Sequence, residues 1–224
     1  IAAARGIATA DRDIRAGRWV VDDTIAQQRF RGPQIGGATL GLVGYGAVGR
    51  ELAGIARGCG MQVLAFDPYA DAATLAAAGV EAVGTLAEML SRCDYVSVHA
   101  ALTDETRGML GAAELAALPR GAVLVNTARE PIVDRAALVD ALVAGHLSAA
   151  ALDHFEGEYI APDTDLARLP NVILTPHIGG ASRGADACHT EMLADAFDAL
   201  AAGEVPAGAL NPECAPAAVE RLWR

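Results

Sequence analysis

Thr39-Leu-Gly-Leu-Val-Gly-Tyr-Gly-Ala-Val-Gly-Arg50 is a short apolar run that ends in the spacing G-x-G-x-x-G and passes into a stretch of helical period, Val48–Arg57. Glycines at a strand-to-helix junction permit a tight turn and bring a pyrophosphate close to backbone N–H groups at the positive helix end. Gly44, Gly46 and Gly49, with Ala47 and Val48 between them, therefore form a candidate phosphate cradle. Taken alone the spacing is weak, because glycines also end strands for steric reasons. Asp67 adds the second half of the argument. It closes the next apolar run, Gln62–Phe66, about 20 residues beyond the glycines, where a carboxylate accepts hydrogen bonds from an adenosine ribose. An aspartate there can also cap a turn. Pro68 and Tyr69 follow, with no nearby Arg to receive a 2′-phosphate, so NAD is favoured over NADP.

Outward from this motif, β-branched or apolar runs alternate with Ala/Leu-rich stretches of helical period. Strands are expected at Thr39–Val43, Gln62–Phe66, Tyr95–Val98, Val123–Val125, Ala149–Leu152 and Val172–Leu174, with a weaker one near Glu81–Val83. Helices are expected at Val48–Arg57, Ala72–Ala78, Leu86–Ser91, Ala113–Ala117 and Asp134–Val143, and a longer closing helix at Ala181–Ala202, followed by an extended tail, Pro206–Pro216. Asp71 and Thr85 stand where helices start, and Gly58, Gly79 and Gly145 where they stop. The alternation predicts an α/β fold with a doubly wound parallel sheet of Rossmann type.

Composition removes several functions. A formal net charge of −11 disfavours nucleic acid and anionic membranes as partners. All 17 basic residues are Arg, so neither a Schiff-base lysine nor a P-loop lysine is available in this sequence. Apolar stretches such as Ala122–Val125 are far shorter than the ~20 residues of a membrane span. Cys59, Cys93, Cys188 and Cys214 show no C-x-x-C spacing, which predicts a reducing, cytoplasmic setting. Ile1 is not an initiator and no signal-peptide pattern follows it, so a preceding segment is expected.

Polar residues recur at the carboxyl ends of successive expected strands. His99 follows Tyr95–Val98, Asn126 and Arg129 follow Val123–Val125, Asp153 and Glu158 follow Ala149–Leu152, and His177 follows Val172–Leu174. In an open α/β sheet that edge is where ligands bind. A histidine beside a carboxylate can pass a proton and an arginine fork can hold a carboxylate, which are the parts needed to reduce a keto acid. Each has a plainer alternative: a turn histidine for His177, a surface ion pair for Arg129, a solvated loop residue for Glu158, and a packing role for His99. His146 and His154 are read as non-catalytic. No metal is expected, since no two of His99, His154, His177 and Glu158 are read as showing the helical i,i+4 spacing of short metal motifs.

With these residues in view, the sequence resembles the D-isomer-specific 2-hydroxyacid dehydrogenases over nearly its whole length. The likeness runs through Arg15-Ala-Gly-Arg-Trp19, Leu40 to Arg50, Val96-Ser-Val-His99 with Thr106, Val125-Asn-Thr-Ala-Arg129, Ala151-Leu-Asp153 with Glu156-Gly-Glu158, and Pro176-His-Ile-Gly-Gly180. The resemblance implies that Arg129 orients the substrate, that His177 is the acid/base and that Glu158 polarises it. It further implies that Arg50, Thr106, Asn126, Thr127, Ala128, Asp153, Gly179 and Gly180 join the glycine loop, Asp67, His99 and His177 around NAD. Three positions depart from the family pattern: Glu130 for Gly, Tyr159 for Pro and Ala101 for Pro. Glu130 would weaken binding of an anionic substrate if it turned inward, although neighbouring side chains more often diverge.

The same resemblance implies an NAD-binding domain over residues 1–203, with a segment 204–224 returning toward a substrate domain that lies mostly outside this sequence. It also implies a homodimer through the arm Trp19–Phe30, and a small 2-hydroxy or 2-keto acid as substrate. An NAD-sensing regulatory protein is the rival reading, since a nucleotide fold does not establish catalysis. A methyltransferase binding S-adenosylmethionine fits the third glycine and the downstream residues poorly.

Overall fold

Burial on both faces marks the runs read as strands. Leu40, Leu42, Val63, Ala65, Tyr95, Val123 and Ala149 pack into one apolar cluster. Their chain neighbours Val43, Leu64, Val96, Leu124 and Ala150 pack into another. Successive side chains of a strand point to opposite faces, so the sheet carries a core on each side.

A computed structural model describes residues 1–209, and its contacts divide the chain after His177 into Ile1–His177 and Ile178–Arg224. That division falls earlier than the boundary suggested at residue 203. Cys214, and the tail and C-terminal segment from residue 210 onward, lie outside the described residues.

The first unit opens with α1 (Ile7–Arg15), a short antiparallel pair β1 (Val20–Val21) and β2 (Thr24–Ile25), and a single turn α2 (Ala26–Arg29). Asp13 of α1 is buried between Arg18 and Arg29, which ties the helix to this arm. There follow β3 (Thr39–Val43), α3 (Ala47–Gly58), β4 (Gln62–Phe66), α4 (Ala72–Ala77), β5 (Glu81–Ala82), α5 (Leu86–Leu90), β6 (Tyr95–Val98) and α6 (Ala112–Ala117). Then come β7 (Ala122–Asn126), α7 (Arg135–Val143), β8 (Leu147–Leu152), α8 (Asp165–Arg168) and β9 (Val172–Leu174).

Seven strands form one sheet in the order β5-β4-β3-β6-β7-β8-β9. Every pairing within it is parallel, as the strand–helix alternation predicts. The order reverses at β3, where a doubly wound sheet opens its ligand crevice.

Asp71 and Thr85 cap α4 and α5 through the N–H groups of Thr74 (2.9 Å) and Glu88 (3.2 Å). Gly79 and Gly145 end α4 and α7 with left-handed φ of 67° and 62°. α3 ends at Gly58, where a stop is expected, although the left-handed residue of the turn that follows is Gly60, φ 79°. In the second unit Ser182 caps α9 (Arg183–Ala201) by accepting the Ala185 N–H at 3.1 Å. Among the described residues no helix is long and apolar enough to cross a membrane.

Gly41 lies under α5, where an added Cβ would strike the sulfur of Cys93 and come within 3.2 Å of Met89. Gly54, exposed in α3, has open space in the same position. Gly41→Ala is expected to destabilise by about 1–3 kcal/mol through overpacking. Gly54→Ala should stabilise by about 0.5–1 kcal/mol through helix propensity. Urea unfolding of the two variants checks both signs.

Candidate active site

Three glycines shape the turn between β3 and α3. Gly44 takes φ 97°, and a Cβ there would lie 2.7 Å from the Ala100 nitrogen, so the backbones of the β3 and β6 ends meet at a distance only glycine permits. A Cβ on Gly49 would meet the Gly44 carbonyl oxygen at 2.6 Å, which keeps the helix close against the turn. Gly46 is the helix N-cap and offers no side-chain cap, and nothing stands within 4 Å of where its Cβ would be. The first-turn N–H groups of Ala47, Val48 and Gly49 are thereby left for an anion at the positive helix end.

Asp67 is locked beside this turn. One carboxylate oxygen accepts the Tyr45 N–H at 2.7 Å and the other the Tyr69 N–H at 2.9 Å. The turn-capping alternative for Asp67 is thus realised. A carboxylate has about four acceptor sites, so ribose hydroxyls can still be bound. Arg50 donates from Nε to the Tyr45 carbonyl at 3.3 Å. Gly44, Gly46, Asp67, Tyr69, His99 and Thr106 line a cavity of about 840 Å³.

His99 stands at the end of β6, its Nε2 2.9 Å from the Ser97 hydroxyl, and burial holds its imidazole below the usual histidine range. Thr106 donates its hydroxyl to the Ala101 carbonyl at 2.6 Å and accepts the Thr103 N–H at 2.8 Å, folding the cavity rim on itself.

At the end of β7, buried Asn126 serves as a template for its own loop. Its amide donates to the Arg129 carbonyl at 2.9 Å and its oxygen accepts the Ala128 N–H at 3.0 Å. Thr127 and Arg129 remain exposed, and one guanidinium N–H of Arg129 donates to the Ala128 carbonyl at 2.8 Å. Past β8, buried Asp153 accepts the Thr175 hydroxyl at 2.5 Å, joining the ends of β8 and β9. Glu158 and His177 then meet: both carboxylate oxygens lie near the imidazole Nδ1, at 3.0 and 3.2 Å. Both residues are left-handed, each with φ 55°, an uncommon conformation for side chains of this size. Gly179 and Gly180 open the second unit, in a turn where the Ser182 N–H bonds the Gly180 carbonyl at 3.1 Å.

Residues 1–179 match the family described as D-isomer specific 2-hydroxyacid dehydrogenase, NAD binding domain. The chain belongs to that family. A glyoxylate reductase of Korarchaeum cryptofilum is 40% identical over 213 residues, covering 95% of this chain and 63% of the relative. A D-3-phosphoglycerate dehydrogenase of Methanocaldococcus jannaschii is 34% identical, over 94% of this chain and 39% of the relative. Among solved structures, the apo form of Rhodotorula graminis D-mandelate dehydrogenase superposes with a TM-score of 0.82 at 30% identity, over 92% of this chain and 61% of that one. The chain therefore spans less than two thirds of the length of these relatives. The cofactor of this family domain is NAD, and the residues fit it: an uncapped helix start in open space, a carboxylate locked beside it and a cavity between them.

Two residues of this 2-hydroxyacid dehydrogenase domain had no part in the site as read from the sequence, Glu130 being noted only as a departure from the family pattern and His154 being read as non-catalytic. Glu130 turns away from Arg129: its carboxylate pairs with Arg135 and accepts the Glu156 N–H at 2.7 Å. His154 lies edge-on to His177, ring centroids 5.1 Å apart, with Nε2 3.6 Å from Glu158. His154, Glu158 and His177 thus bring one ligand atom each within 4.8 Å of one another. His154 and Glu158 do stand four apart in sequence, but left-handed Gly157 breaks any helix between them. The Glu130 N–H donates to His154 Nδ1 at 3.4 Å. That nitrogen must carry a lone pair, so the proton of a neutral His154 sits on Nε2 facing the carboxylate, which suits a hydrogen-bonding set better than a ligand set. His154 at the exit of β8, four residues ahead of Glu158, was the available signal.

Because burial depresses His99, the unfolded chain takes up its proton first as pH falls. This contribution to stability is intact above about pH 6.5 and is lost as pH drops through the folded value. An NMR titration of His99 should show a midpoint below 6.5, and a midpoint at or above 6.5 would contradict its buried setting.

Proposed function

We propose that the intact protein is an NAD-dependent oxidoreductase that interconverts a small D-2-hydroxy acid and its 2-keto acid. The observation that carries this reading is the Glu158–His177 pair, 3.0 Å apart, on the sheet edge that also bears the glycine turn and Asp67. When bound, NADH supplies the hydride that the keto carbon receives. Arg129 holds the substrate carboxylate with the donors of its guanidinium fork and orients the carbonyl. Glu158 accepts the Nδ1–H of His177, which leaves Nε2 to deliver a proton to the carbonyl oxygen as the alcohol forms. In the reverse direction Nε2 takes that proton back. Arg50, Thr106, Asn126, Thr127, Ala128, Asp153, Gly179 and Gly180 are proposed to complete the cofactor site with the glycine turn and His99. Asp67 is proposed to favour the free ribose hydroxyls of NADH over the added phosphate of NADPH. The cysteine spacing supports a cytoplasmic setting for this activity.

The experiment is NADH-linked reduction of a panel of 2-keto acids, glyoxylate first, by the intact protein. His177→Ala should lower kcat by about 10²–10⁴-fold and Glu158→Gln by a smaller factor. Tighter binding of NADH than of NADPH is expected from the same preparation. Undiminished kcat in His177→Ala, or equal affinity for the two cofactors, would count against the assigned roles.

The arm supports a homodimer. Trp19, Val20 and Ile25 are 62%, 57% and 45% exposed, a concentration of apolar surface that a two-fold partner would cover. Light scattering at micromolar protein should give the mass of a dimer, and a monomer would rule out this use of the arm.

A further inference from the structure

Glu158 presents a physical problem. Its side chain is 60% exposed and it follows left-handed Gly157 in a second left-handed conformation, with its N–H turned back to the Phe155 carbonyl at 2.9 Å. Packing does not hold such a carboxylate, and a free loop would relax out of a rarely occupied backbone region. Yet both oxygens stand within 3.2 Å of one imidazole nitrogen. The segment must be held from outside.

Glu130 supplies the hold. Its side chain is only 13% exposed, and its two carboxylate oxygens have separate tasks. One accepts from Nε of Arg135 at 2.6 Å, within the segment that follows β7. The other accepts the Glu156 N–H at 2.7 Å, two residues ahead of Glu158. Arg135 balances the charge, so Glu130 adds little repulsion toward an anionic substrate beside Arg129. A second link comes from the same residue. Its own N–H fixes Nδ1 of His154 as an acceptor and so directs the His154 Nε2–H toward Glu158 Oε1, 3.6 Å away. Two imidazoles then face the same carboxylate oxygen, His177 Nδ1 at 3.0 Å and His154 Nε2 at 3.6 Å. The titratable groups within ion-pair reach of Glu158 are these two histidines alone among the described residues.

We propose that Glu130 is a positioning residue, which fastens the loop after β8 to the loop after β7 and thereby holds Glu158 against His177. The proposal rests on the acid/base role assigned above to that pair. Glu130 touches neither His177 nor the glycine turn in this arrangement; its effect on proton transfer passes through Glu158.

The test is a double-mutant cycle in the intact protein, with Glu130→Ala and Glu130→Gln each made in the unmodified and the Glu158→Gln backgrounds, and NADH affinity measured on all to verify the fold. If Glu130 acts through Glu158, Glu130→Ala lowers kcat by about tenfold in the unmodified background and by less than about twofold once Glu158 is already replaced. Glu130→Gln, which keeps an oxygen for the Glu156 N–H, should lose less than Glu130→Ala and serves if the latter folds poorly. Equal losses in both backgrounds, or unchanged kcat, would overturn the proposal by making Glu130 a purely structural or a neutral residue. A second readout is the His177 Nδ1 proton in NMR, expected to be protected from exchange in the unmodified protein and to lose that protection in Glu130→Ala and in Glu158→Gln. Should the unmodified protein reduce no 2-keto acid, the functional reading fails by itself. The NMR arm then decides the positioning: loss of protection in Glu130→Ala supports it and retention overturns it.

Discussion

A parallel sheet sends the carboxyl end of every strand to the same edge, and each strand must then leave that edge through a loop before its helix begins. In this chain the constraint places Asp67, Gly44, His99, Asn126, Asp153 and Thr175 one after another along that edge, each directly after its strand or at its last residue. Polar groups fix these loops: Asp67 reaches the neighbouring turn at the Tyr45 N–H and Asp153 reaches the Thr175 hydroxyl, while Asn126 binds the Ala128 N–H and the Arg129 carbonyl of its own loop. Each of these buried or half-buried side chains spends its hydrogen bonds on backbone or on a neighbouring loop. The edge is thus organised before any ligand enters, which is the condition for positioning substrates without reorganisation.

Among the described residues, the non-glycine positions with left-handed backbone are Glu158 and His177, and Asp22 and Asp23, which form the tight turn of the arm. Left-handed conformations at Glu and His persist only where surrounding contacts over-determine them. The pairing of Glu130 with Arg135 and Glu156 is such a contact. Tyr159, directly after Glu158, is 69% exposed.

The chain has a net charge of −11 and nevertheless belongs to a domain family that binds an anionic dinucleotide. Local groups resolve this. The uncapped start of α3 presents oriented N–H groups, and acidic residues near it are held by backbone donors, as Asp67 is. Surface charge at a distance is screened within about 10 Å at moderate salt, so the short-range donors govern the site while the overall charge governs solubility.

What the sequence determined by itself was whatever depends on near neighbours in the chain. Strand and helix positions follow from hydrophobic period, and Thr39–Val43, Gln62–Phe66, Tyr95–Val98 and Val172–Leu174 form over the expected residues. The caps at Asp71 and Thr85 and the cradle of Gly44 and Gly46 are likewise local geometry. Strand pairs too short to carry a period were not legible: β1 and β2 have two residues each and are made by the turn at Asp22 and Asp23. Tertiary structure alone decided where Glu130 points and what His154 faces, because the loops after β7, β8 and β9 are brought together by the parallel register of those strands and by left-handed turns that no hydrophobic pattern encodes. A sequence shows that Glu130 adjoins Arg129. Only the folded edge shows that its carboxylate belongs to the neighbouring loop.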